Sequence, residues 1–191
     1  GKTTRIEIPR SGDFIKNIFF RFEFPKVEYD QLEIIRGAGF LIFDYVDLYI
    51  GGQLIDRLTG DFMFQHTWLT SSPNENQALT SMAYIQYDIS GETSYTNPYT
   101  SNFPLTMYVP FPFYFYKHVS HAIPVCALYK QKIEIQFKLK KLSQLVRYQE
   151  AGFAYANPID PAILDDLSRY SLGICTVPIE YVYVDDTFRD R

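Results

Sequence analysis

A chain of 191 residues has the size of one domain and can bury a real core, about 70% of its unfolded surface. Its formal net charge of -4 argues against a dedicated nucleic-acid binder, which needs a dense basic surface to neutralise phosphates. No run approaches the ~18 apolar residues of a membrane span, and the opening Gly1-Lys2-Thr3-Thr4 is no signal peptide. The compositional signal is aromatic, with 16 Phe and 16 Tyr. Phe fills cores, whereas Tyr suits half-buried faces because its hydroxyl can stay wet or find a partner.

In chain order, Arg5-Ile6-Glu7-Ile8 reads as a short alternating strand ended by Pro9, and Ser11-Gly12-Asp13 as a turn. Ile18, Phe20, Phe22 and Phe24 then alternate with Phe19, Arg21 and Glu23 until Pro25 stops the ladder. Phe43 to Ile50 is a further strand, with Val46, Leu48 and Ile50 towards the core. Gly51-Gly52 follows, then Gln53-Leu54-Ile55; two glycines between apolar runs predict a two-residue hairpin with positive φ at both positions. Asp61 to Leu69 reads as a short helix with Phe62, His66 and Leu69 along one side. Ser71 to Asn102 is a long polar insertion dotted with tyrosines, a length that is usually functional or itself structured.

The strongest alternation lies in Leu105–Tyr116 and Lys132–Lys140. Leu105, Met107, Val109, Phe111, Phe113 and Phe115 point one way; Tyr108, Tyr114 and Tyr116 point the other, towards either a wet rim or a subunit interface. Pro110 and Pro112 cannot donate ladder hydrogen bonds, so the first of these strands belongs at a sheet edge or a bent corner. In the second, Ile133, Ile135, Phe137 and Leu139 form the apolar face. A second helix is expected from Pro161 to Arg169, capped by Asp160 and docked by Ile163, Leu164 and Leu167. Ile174 to Val184 is apolar on both faces apart from Glu180, which predicts a strand that is central or covered on both sides. The sum is an all-β chain: an eight-stranded antiparallel jelly-roll sandwich with short helices in loops, whose first and last strands meet within the sandwich.

Chemistry is sparse. His66, His118 and His121 are the only histidines; a His-x-x-His pair without a nearby carboxylate or cysteine is an incomplete metal site. Asp44 and Asp47 are expected on opposite strand faces, and Asp165 and Asp166 diverge on a helix, so neither pair can share a substrate. Asp185-Asp186 reads as a solvated acidic turn rather than a calcium site, and Lys138, Lys140, Lys141 and Arg147 as a solvated basic face. No Gly-x-Ser-x-Gly, phosphate-cradling loop or Cys–His arrangement occurs. Cys126 and Cys175 are expected to be buried free thiols in a reducing compartment, and no Asn-x-Ser/Thr sequon is present. No catalytic, cofactor-binding or metal residue is assigned, and the chain reads as no enzyme.

Several segments in order resemble one family. Ile8-Pro9-Arg10-Ser11-Gly12-Asp13-Phe14, Tyr45-Val46-Asp47-Leu48-Tyr49-Ile50-Gly51-Gly52, Val109-Pro110-Phe111-Pro112-Phe113-Tyr114-Phe115, Ala122-Ile123-Pro124-Val125 with a lysine-rich strand after it, and Pro178-Ile179-Glu180-Tyr181-Val182-Tyr183-Val184-Asp185 are similar to the major capsid protein of the nucleocytoplasmic large DNA viruses. The resemblance runs from about Ile6 to Arg191 and implies one half, the N-terminal one, of a double jelly roll whose second half is absent from this chain. It implies a structural protein of an icosahedral virion, forming homotrimeric, pseudo-hexagonal capsomers that touch neighbouring capsomers and minor capsid proteins. Assembly in the host cytoplasm, no specific nucleic-acid binding and no transmembrane segment go with it. The Ser71–Asn102 insertion resembles the family's loop between strands D and E, which tends to face outward or contact neighbours. The alternative function is a lectin-like jelly-roll module recognising a glycan or receptor.

Overall fold

The computed structural model describes residues 3–24, 32–35, 37–75, 78, 105–116, 118–148 and 161–185. In chain order the elements are β1 (Thr3–Glu7), β2 (Phe14–Phe24), β3 (Leu32–Ile34), α1 (Ala38–Leu41), β4 (Phe43–Ile50), β5 (Gln53–Leu58), α2 (Gly60–Thr70), β6 (Leu105–Pro110), β7 (Ile123–Pro124), β8 (Ile133–Leu139), β9 (Val146–Tyr148), α3 (Pro161–Leu167), β10 (Cys175–Thr176) and β11 (Ile179–Val182). Most of the Ser71–Asn102 insertion, with Pro25, Lys117, Asp160 and Asp186, falls outside the described residues.

One sheet has the order β1-β8-β4-β5, all antiparallel. The other is built on β2, which is bonded on both sides: Phe14 faces Val182 and Pro124, and Arg21 faces Thr176 and Tyr108. A small third sheet joins β3 to β9. The sheets meet through phenylalanines that the period-two pattern turns inward. Phe20 of β2 sits 5.2 Å from the Phe43 ring of β4 and 5.1 Å from Phe137 of β8, edge-on to both. Phe111 closes on Phe43 at 5.2 Å. Edge-to-face packing of this kind adds to what burial alone supplies.

Gly51 and Gly52 take φ of 60° and 81°, and Ile50 pairs with Gln53, so the two-residue hairpin forms as expected. In Leu105–Tyr116 the inward residues Met107, Val109, Phe111, Phe113 and Phe115 are all buried, but the ladder stops at Pro110. Past it, Phe111 N–H donates to the Ile18 carbonyl (3.0 Å) and the chain turns, with Tyr116 N–H on the Phe113 carbonyl (2.8 Å). The bent corner is the outcome, and the missing proline N–H is its cause.

Three expectations are corrected. Ile174–Val184 is not one strand covered on both sides. It is β10 and β11, interrupted at Val177-Pro178, and among the described residues both pair only with β2. Ile174 is 60% and Tyr183 66% exposed. Its tyrosines serve instead to tie the strand down, Tyr181 Oη donating to the Pro9 carbonyl and Tyr183 Oη to the Ser11 carbonyl at 2.6 Å. Cys126 and Cys175, free as expected, are exposed rather than buried. α3 ends at Leu167, two residues early, because the Ser168 amide and hydroxyl both close on the Asp165 carbonyl (3.1 and 2.6 Å). Leu167 is buried as foreseen; the side chains of Ile163 and Leu164 lie outside the described set.

Candidate interaction surfaces

The solvent face of the β1-β8-β4-β5 sheet satisfies itself. Arg57 grips Asp47 with two bonds, Nε to Oδ1 at 2.6 Å and Nη2 to Oδ2 at 2.8 Å, and its guanidinium lies 5.0 Å from the Tyr45 ring centre. Arg5 bonds Glu134 at 2.7 Å and stacks 4.7 Å over Tyr49; Lys132 reaches Glu7 at 2.7 Å. Lys138 donates to Asp44 at 2.6 Å, which holds the Asp44 carboxyl below its ordinary value. Asp47 is fully buried under this lattice, so its charge is solvated by Arg57 in place of water. Each cation across strands meets an anion, and the face presents little unsatisfied charge to a partner.

The placement of Asp44 corrects the expectation of opposite faces. The register shift between Phe43 and Tyr45 lets Asp44 reach Lys138, whose side chain shares the outer face with Arg57 and Asp47. The two carboxylates nevertheless serve different cations and do not converge. Asp165 bonds Arg169 at 3.0 Å along its own helix. His118 and His121 stand exposed on a single 3-10 turn with ring centres 5.6 Å apart, while His66 sits in α2 beside Phe62. Among the described residues no group of three or more His, Cys, Asp or Glu is placed to hold a metal ion. Lys138 and Lys140 of the basic cluster face Asp44 and Asp61 (2.6 and 3.7 Å).

Two apolar features stand out against this background. Between β1 and β11 the sandwich is open along one flank, where Ile6, Ile8, Ile135, Val177, Ile179 and Tyr181 line a cleft of about 200 Å³. Both bordering strands are poor templates for pairing: β1 is short and charged, and Pro178 and a register shift at Glu180 break the other. Among the described residues the first and last strands border this cleft from different sheets without pairing, so the expected meeting within the sandwich is reduced to a shared cleft wall. The second feature is the outer side of α2. The helix buries Gly60, Met63 and Thr67 and leaves Phe62, Trp68 and Leu69 exposed. Its orientation is set by Gly60: a Cβ there would fall 2.6 Å from the Phe40 carbonyl oxygen and closer still to that of Phe43. Phe62 and Leu69, placed on one side by the sequence, therefore face away from the core, whereas His66 of the same row is half-buried. A glycine demanding close backbone approach was the signal that could have revealed it.

The comparisons with known proteins agree in direction. Capsid protein 1 of Acanthamoeba polyphaga mimivirus is 28% identical over 210 residues, covering 100% of this chain and 32% of its own length. The major capsid protein of Phaeocystis pouchetii virus is 22% identical, covering 100% of this chain and 40% of its own. Among solved structures, a quasi-atomic model of the PBCV-1 virus capsid superposes with a TM-score of 0.72 at 20% identity, over 100% of this chain and 40% of that one, which shows the jelly-roll fold. The chain spans between 29% and 42% of the length of the curated relatives it matches. A lectin-like module finds no support among them. Residues 1–185 match the family model described as the major capsid protein N-terminus, and the chain belongs to that family.

Proposed function

We propose that this chain is a structural component of an icosahedral virus capsid and carries no catalytic, cofactor or metal site. The observation that carries the reading is the family match across residues 1–185, joined to a fold shared over the whole chain with a capsid structure. The chain would be the N-terminal jelly roll of a double jelly roll. Three copies of the complete polypeptide would pack into a pseudo-hexagonal capsomer that contacts neighbouring capsomers and minor capsid proteins. The virion is then its place of work, after assembly in the host cytoplasm.

The physical means is burial of shape-matched apolar and aromatic surface between subunits, with rim polar groups fixing orientation. The self-satisfied salt lattice of the outer sheet suits a rigid wall, since each Arg and Lys is held in place before any partner arrives. No specific nucleic-acid contact is included, in line with the net charge of -4. Electron microscopy of the purified complete polypeptide tests the reading. Pseudo-hexagonal particles are expected; a population of single jelly-roll-sized particles at every concentration would contradict it.

A further inference from the structure

We infer that the Pro9–Asp13 turn is a latch on β11: it locks that strand against β2, and when it lets go β11 peels away while the rest of the sandwich stays folded. The inference goes beyond the capsid reading and does not depend on it. Burial holds β11 only weakly. None of Ile179–Val182 is fully buried, Pro178 before the strand and Tyr183 after it are exposed, and a register shift between Glu180 and Tyr181 breaks the ladder to β2. In the other sheet β4 and β8 each lie between two neighbours and bury Val46, Leu48, Ile133, Ile135 and Phe137. A segment with few buried apolar side chains opens at a lower free energy than strands of that kind.

Besides Glu180 in mid-strand, the bonds that hold β11 and its exit converge on one turn. Tyr181 Oη donates to the Pro9 carbonyl and Tyr183 Oη to that of Ser11 (2.6 Å). The Asp13 amide donates to the Val182 carbonyl (3.2 Å), and the Val184 amide donates back to Asp13 Oδ2 (2.9 Å). The turn is seated closely, since a Cβ on Gly12 would fall 2.6 Å from Tyr181 Cβ. Its other side is anchored without β11. The buried Asp13 gives its carbonyl to the Val125 and Cys126 amides (2.8 and 3.3 Å), and Arg10 donates to the carbonyls of Tyr129 and Gln131, the latter at 2.6 Å. The turn is therefore the fixed part and β11 the part that moves. Once released, β11 withdraws Ile179 and Tyr181 from the cleft and bares Ile6, Ile8 and Ile135 on its opposite wall, so the latch governs access to that apolar flank.

Hydrogen–deuterium exchange of the complete polypeptide that carries this chain, read by mass spectrometry, tests the latch in wild type, Tyr181→Phe/Tyr183→Phe and Gly12→Ala. The double variant keeps both rings and removes both hydroxyl bonds; Gly12→Ala removes no bond and pushes the turn off Tyr181. β4 and β8 are the reference within each sample. In wild type, peptides over residues 179–184 are expected to exchange at least about tenfold faster than β4 and β8, and about tenfold faster again in each variant, with β4 and β8 unchanged. Equal rates for β11 and the reference strands in wild type would show one cooperative unit and overturn the inference. So would variants that leave residues 179–184 unchanged, or that speed every strand alike. The capsid reading stands or falls separately, on the shape of the particle.

Discussion

At the residue scale, the hairpin glycines and the buried Asp47 carry the sharpest expectations. A side chain at the left-handed φ of Gly51 or Gly52 costs about 1–2 kcal/mol. The double change Gly51→Val/Gly52→Val should lower the melting temperature by several degrees, at roughly 2–4 °C per kcal/mol for a domain of this size. Gln65→Ala, at an exposed position of α2, should leave it in place; equal melting curves would remove the hairpin from the account. For Asp47, removing only its cation is worse than removing both charges, because an orphaned carboxylate stays buried. Arg57→Leu should therefore be less stable than Asp47→Leu/Arg57→Leu in urea titration, and the reverse order would show that the pair is not the point. The glycine pair was legible in the sequence because backbone chemistry is local. The Asp47–Arg57 pair was not, since it depends on the pairing of β4 with β5 residue by residue.

At the element scale, β11 is held to β2 by Glu180, which accepts from Lys16 (2.8 Å) and Asn17 (2.6 Å). Those two bonds, the lysine first, hold its carboxyl below its ordinary value of 4.5. A depressed carboxylate contributes stability that is present above the unfolded value and lost as pH falls through the folded one. Thermal melts from about pH 6 down to about pH 3 should thus show an acid decline that Glu180→Gln makes shallower. An unchanged decline would place the acid sensitivity elsewhere, with Asp44 the next candidate because Lys138 depresses it in the same way. The element scale is also where sequence reading failed most. Alternation identified β2, β4, β6 and β8 and their inward faces, because period two is a property of any half-buried strand. It could not tell that, among the described residues, the apolar Ile174–Val184 run pairs with β2 alone, because its tyrosines look the same whether covered or bonded to the Pro9–Ser11 turn.

At the scale of the whole molecule, one aromatic cluster joins the sheets, and Phe20 is its hub, touching Phe22, Phe43, Phe111 and Phe137. Phe20→Ala should cost about 3–5 kcal/mol in a single cooperative transition. A loss below about 1 kcal/mol would mean that the sheets are held by other contacts. The alternating strand faces of the core were readable from the sequence, but Phe40, Ile42 and Met63 around α1 and α2 were not, nor was Phe43, which the register shift before Tyr45 turns inward; the surfaces were not readable either. Whether Phe62 or Leu69 is exposed depends on which side of α2 a distant backbone blocks, and no local pattern encodes that.

The central claim, that this jelly roll works by packing against its own kind, is most directly tested by the molar mass of the complete polypeptide in light scattering. The account predicts a mass of three polypeptides at micromolar concentration, with the 191-residue chain alone either poorly soluble or associating. A stable, non-associating monomer for both, across the whole accessible concentration range, would contradict it.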